Sequence, residues 1–244
     1  MSLRWALILA AVLFLLTLLV RLPARLLLSY LPPDVICDDP GGTVWHGSCG
    51  QVRSEGLSIA GVSWIVHPAA LLSLKLSADL SSADPNAGGS ASIEATRNGD
   101  VSISALRATL PLAAGSLFLP AGSSATLVLA LPSASIHHEH LVAAQGTVDL
   151  QQLHLAKPVA DLGSYELQFA PSSSESIIGG QLRDLEGPLA VNGMLRLQPN
   201  GAYDIDGTVA ARSSASDDLN KALQLFLGPP DAQGQHTFSL AGTL

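Results

Sequence analysis

Apolar and polar residues alternate with period two along most of the chain beyond its first thirty positions. That spacing puts apolar side chains on one face of a strand and polar ones on the other. It predicts strands at 42–52, 57–66, 74–81, 90–97, 101–110, 125–131 and 135–140. A second set follows at 147–155, 165–169, 177–182, 189–198, 203–211 and 237–241. Asn98-Gly99 and Asn200-Gly201 each fall between two alternating runs, the strongest short-range hairpin signal, and predict type I′ turns with positive φ at both residues. The fold class is therefore all-β: curved antiparallel meander sheeting rather than βαβ units.

The two Asn-Gly pairs lie 102 positions apart. Gly42-Thr43-Val44 echoes Gly146-Thr147-Val148 at a similar offset, and Trp64 and Pro68 echo Tyr165 and Pro171. This spacing predicts two similar repeats, at 42–132 and 146–244, forming two sheets end to end or one long rolled sheet.

Two segments break the alternation. Trp5 to Val20 is an unbroken apolar run between Arg4 and Arg21. As a helix its sixteen residues rise about 24 Å, slightly short of a hydrocarbon core of about 30 Å. Arginines that snorkel outward make up the difference, so residues 1–31 are expected to hold a transmembrane anchor and its flank. The competing reading is a cleaved signal peptide, but the run is long for one and no A-x-A site follows before the prolines. Arg4 favours a cytoplasmic N-terminus, although Arg21 and Arg25 on the other flank weaken that signal. The second break is a helix after Ser216. Ser216 is a suitable N-cap, Asp217 and Asp218 suit the positive end of the dipole, and Gly228 with Pro229-Pro230 stops it. Leu219, Ala222, Leu223 and Phe226 make one apolar stripe, expected to plug an end of the sheet or to take a partner.

Charge separates the two parts. Of 12 basic residues, Arg4, Arg21 and Arg25 precede residue 32, while all 20 acidic ones follow Leu31. The domain at 32–244 thus has 9 basic and 20 acidic groups, a net of −11, which argues against nucleic acid as a partner. The two cysteines, Cys37 and Cys49, follow the anchor directly. In an oxidising compartment they would close a short loop; otherwise they are two small buried residues, and the bridge is the favoured reading.

Chemistry is hard to find. The chain lacks G-x-x-x-x-G-K, G-x-S-x-G and H-E-x-x-H, and no cofactor or catalytic set is expected. In His137-His138-Glu139-His140 a strand would aim His138 and His140 to one face, with His154 as a conceivable spatial neighbour. A zinc site needs three or four ligands, so a solvated polar strand is the default. His46 and His67 sit next to tryptophans and are expected to be packed or hydrogen-bonded rather than to ligate.

Several segments in order resemble one family. They are Gly42-Thr43-Val44-Trp45-His46-Gly47, then Trp64-Ile65-Val66-His67-Pro68-Ala69-Ala70-Leu71-Leu72, then Gly187-Pro188-Leu189 and Asn192 to Leu197. Together with the anchor they resemble the type II secretion system protein N family. The resemblance implies a single-pass inner-membrane protein with a periplasmic domain, an accessory part of a machine that exports folded proteins. It further implies partners among the inner-membrane platform components and the outer-membrane secretin, and no enzymatic activity. Trp45 and Trp64, as pattern positions, are expected to pack in the core.

The composition also resembles AsmA-like envelope proteins, which present an apolar groove to lipid. A scaffold would fill its apolar face with its own side chains, whereas a lipid carrier would leave a continuous slot. Thirteen strands at about 4.8 Å span only about 60 Å, short for bridging an envelope.

Overall fold

The computed structural model describes residues 3–28, 35–54, 57–112, 119–138, 140–156, 159–170 and 177–243. Helix α1 covers Leu3–Val20 and a short α2 covers Arg25–Leu28. Strands β1 (Ile36–Gly42), β2 (His46–Ser54) and β3 (Leu57–Val66) lead into a 3-10 turn at Pro68–Ser73. Next come β4 (Lys75–Ser82), β5 (Gly89–Thr96), β6 (Val101–Leu112), β7 (Ser124–His137) and β8 (His140–Ala156). The series ends with β9 (Val159–Phe169), β10 (Ile178–Glu186), β11 (Leu189–Leu197), β12 (Ala202–Ala211), helix α3 (Asp217–Leu227) and β13 (His236–Thr243). All thirteen strands form one sheet in chain order, each antiparallel to the one before. Local pairing throughout is what short turns between alternating runs produce.

Among the described residues, no helix is long and apolar enough to cross a membrane. The side chains at 3, 4, 6–8, 11 and 16 of α1 lie outside that description. The anchor expectation is therefore carried by the sequence of the run, which has one charged residue in eighteen.

The register aligns the apolar positions into lanes across the strands. Ala78 faces Ile93, Ile93 faces Ile103, Ile103 faces Ala134 and Ala134 faces Ala144. Further along, Leu129 faces Val148, Val148 faces Leu167 and Leu167 faces Leu182. The other face carries lanes such as Glu166–Arg183–Asn192–Thr208. Because one layer has no second layer to bury it, most of the apolar lane is only half-buried. The packed cluster is small: Ala144, Ile178 and Leu197, with Leu141, Phe169 and Tyr203 against them. The two edge strands each contact a helix, β1 the short α2 and β13 α3.

Several expectations need correction. The run 42–52 is not one strand: β1 ends at Gly42, the chain turns through Thr43–Trp45, and β2 begins at His46. The intervals 125–131 and 135–140 are not two strands. β7 runs unbroken to His137, absorbing register shifts, and β8 starts at His140. The Asn-Gly turns are not type I′, since Gly99 and Gly201 alone take positive φ. In each the glycine N–H donates to the carbonyl three residues back, Thr96 or Gln198. A type I turn closed by a left-handed residue is the three-residue hairpin alternative. The two turns are equivalent, six strands apart. By contrast Gly42-Thr43-Val44 runs from the end of β1 into a turn, while Gly146-Thr147-Val148 lies inside β8. Pro171 lies outside the described residues.

Candidate functional site

Two of the segments that carried the resemblance, Gly42–Gly47 and the one that begins at Trp64, meet at one end of the sheet, where α1 joins it. An α-helix leaves its last four carbonyls without intrahelical partners. One of these, Leu19 O, accepts a hydrogen bond from Trp45 Nε1 at 2.7 Å. Beyond the helix, Val44 N donates to Leu22 O at 2.9 Å and Ala24 N to Gly42 O at 3.2 Å, with Pro23 bridged to Thr43. The turn is tied internally by Thr43 N to His46 O at 2.8 Å and by His46 N to Thr43 Oγ1 at 3.2 Å. It is fastened to β3 by Val66 N to Trp45 O at 2.8 Å and by Trp64 Nε1 to Val44 O at 3.1 Å.

This geometry explains the residue types. Gly42 has φ +78, and a Cβ there would meet His46 O at 2.3 Å. A Cβ on Gly47 would lie 2.3 Å from the Trp64 ring and 2.8 Å from Thr43 O. Gly47 is thus the clearance for Trp64, its register partner on β3. Both tryptophans are half-buried rather than fully buried, and each spends its N–H on a backbone carbonyl of the joint. Beside the joint, Cys37 and Cys49 are linked across β1 and β2, with Cα atoms 5.6 Å apart. They are not direct register partners, Cys37 facing Val52 and Cys49 facing Pro40, and β1 bends between at Asp39, φ +50.

The 3-10 turn starts at Pro68, two residues after Val66. Its Leu71 and Leu72 point outward, Leu72 being 90% exposed. His67 at its start is paired through Nε2 with Asp79 Oδ2 at 2.7 Å. A hydrogen bond from Ser92 and then that from His67 hold the Asp79 carboxyl below the usual carboxylate range. His46, in contrast, is exposed.

A second cluster surrounds Gly187 and Pro188, in the turn from β10 to β11. Arg212 N donates to Pro188 O at 2.8 Å, and the Arg212 guanidinium donates to Gly187 O at 3.0 Å and Asp184 Oδ2 at 2.5 Å. Asp184 Oδ1 accepts from Val191 N at 2.7 Å. Burial pushes the Asp184 carboxyl up, but the Val191 N–H and Arg212 outweigh it and hold it low. Nearby, burial raises the Tyr165 phenol to about 12. Sequence reasoning missed Arg212 and Asp184, which no motif marks; a cation one residue past a strand was the only signal.

Helix α3 begins and ends as expected, with Ser216 Oγ accepting from Leu219 N at 3.2 Å and Gly228 at its C-terminus. The expected stripe is corrected at its last member. Leu219, Ala222, Leu223 and Leu227 are half-buried, whereas Phe226 is 80% exposed. From Leu223 the next inward position is four residues on, which is Leu227. The histidine cluster is corrected too. His137 ends β7, His138 sits in the turn with φ +46, and Glu139 lies outside the described residues. His137 pairs with Asp100. His154 is no neighbour: fourteen residues along β8 from His140 place it about 45 Å away, and it pairs with Asp161 at 2.6 Å. Among the described residues, no group of three or more His, Cys, Asp or Glu is placed to hold a metal.

Fold and joint together define a class: a helix tethered by hydrogen bonds to one end of a single-layer antiparallel meander. The family model for type II secretion system (T2SS), protein N matches residues 33–239. The chain belongs to that family, and so to the components of a protein-secretion system. It is similar to the Vibrio cholerae serotype O1 protein called Type II secretion system protein N, 26% identical over 240 residues, covering 92% of each chain. No solved structure matches.

Proposed function

We propose that this chain is an accessory, non-catalytic component of type II secretion, a scaffold held in the inner membrane by α1 with its sheet in the periplasm. Its partners on this reading are inner-membrane platform proteins and the secretin. Family membership supports the system and the class of partner. The observation that carries the scaffold role is the joint, in which Trp45 Nε1 bonds Leu19 O and Gly47 clears Trp64. The residues of the family-like pattern fix the direction in which the sheet leaves the helix, a task for a protein that presents surfaces. The α1 sequence and the disulfide support the membrane and periplasmic assignments.

The half-buried apolar lane keeps the lipid-carrier reading in view. Its apolar cavity, lined by Ile59, Val62, Leu80 and Leu106 among others, holds about 170 Å³. Small-molecule sites run to about 300–1,000 Å³, which favours the scaffold. Deletion with complementation tests the choice. Cells lacking the chain should retain in the periplasm enzymes normally released to the medium, with lipid composition unchanged. Trp45→Phe, which keeps an aromatic ring but lacks the N–H that bonds Leu19 O, should restore export only in part at normal protein level. Normal export with disturbed lipid asymmetry would favour the carrier.

A further inference from the structure

The turn that follows Trp64 leaves large apolar side chains in the open where the helix meets the sheet. Leu71 is 44% exposed, Leu72 90%, Leu74 69% and Leu76 48%. Turns are normally polar, and a contiguous exposed apolar patch marks an interaction surface. Leu74 adopts φ +56, ψ +31, a left-handed conformation that a non-glycine residue rarely takes. Its N–H, bonded to Leu71 O at 3.0 Å, closes the turn and holds the leucines in this display. An observed outlier of this kind points toward function.

The position of the patch identifies its occupant. Leu19 O is bonded to Trp45, Trp45 O to Val66 N, and Pro68 follows two residues later. The leucines therefore flank the exit of α1. Trp45 sits at that level, and Arg21 and Arg25 are exposed beside it, the residue types that mark a bilayer interface. Charge agrees. The domain is strongly acidic, yet no Asp or Glu occurs from Gly56 to Ala78, and Lys75 follows the turn. The carboxylates that adjoin this stretch in space are partnered, Asp79 by His67 and Glu94 by Lys75, which limits the free negative charge facing anionic headgroups.

We propose that the Pro68–Ser73 turn, with Leu71, Leu72 and Leu74, is a second membrane contact, seated in the headgroup–acyl boundary beside α1. It rests on the reading of α1 as the anchor. Two points of attachment fix the tilt of the sheet against the bilayer, which a single span, itself able to tilt, would leave free.

The test places a photo-crosslinking amino acid at Phe14, Leu72 or Phe226 of the full chain. Each version is put into vesicles of phosphatidylethanolamine and phosphatidylglycerol, and adducts are identified by mass. Position 72 should give lipid adducts in severalfold excess over position 226, with position 14 also lipid-labelled. Lipid at 14 without lipid at 72 overturns the second contact and leaves the anchor standing. No lipid at 14 overturns both. Repeating the experiment in cells adds one discriminating outcome, since adducts at 72 to protein in place of lipid also overturn the proposal.

Discussion

The two ends of the sheet are held by different forces. At the α1 end, β1 to β3 bury little: Cys49 and Val66 are the buried side chains there. That end is fastened by a covalent link, by indole hydrogen bonds and by one glycine clearance. At the far end, β10 to β12 bury Ile178, Leu189, Leu195, Leu197 and Val209, and Arg212 and Arg196 pair with carboxylates. The contrast shows how a single layer without a second sheet remains folded. At β10 to β12 apolar packing holds the strands; at β1 to β3 directional and covalent links take its place.

The largest effect should come from the packed end. Leu197→Ala removes a residue 4% exposed from the Ala144–Ile178 cluster and should cost about 2–5 kcal/mol in denaturant unfolding. If the loss were under about 1 kcal/mol, the far end would not be the better-packed one. Cys49→Ser should destabilise by about 3 kcal/mol, as expected for a short closed loop, and hydrogen exchange should rise in β1 and β2 while β10 to β12 stay protected. Exchange rising equally at both ends would erase the distinction.

The smallest effect is at Arg212. Arg212→Met should cost about 0.2–1 kcal/mol at pH 7, because the guanidinium is part-exposed. The Asp184 carboxyl is held below its unfolded value, so its contribution is present above about pH 4 and is lost as pH falls through the folded value. The Tm difference between the native chain and Arg212→Met should therefore shrink between pH 5 and about pH 3. A difference that is constant with pH would assign the loss to packing of the arginine stem.

How much was legible varies by element. The expected bounds of β3 match its true ones because turn signals bracket it at Gly56 and Pro68, even though its apolar set shifts from Leu57 and Ile59 to Val62, Trp64 and Val66 across Gly61, φ +61. The turn at Thr43–Trp45 was not legible, since Val44-Trp45 reads as strand by composition, while contacts distant in sequence, to Leu19, Leu22, Trp64 and Val66, hold it bent. Phe226 was placed on the wrong side of α3 because i+7 and i+8 are both near one face, and packing against β13 selected Leu227.

By itself the sequence determined an all-β meander, the caps of α3, the apolar run of α1, the acidic balance and the family-like pattern. All of these are local, fixed by period, by capping chemistry and by composition. Only the tertiary structure decided that the segments around Trp45 and Trp64 converge on the end of α1 while Gly187-Pro188 lies at the far end, that Gly47 exists to make room for Trp64, and that Leu72 stands in the open. Each of those depends on which strands are neighbours and in what register, and a one-residue slip would reverse every face.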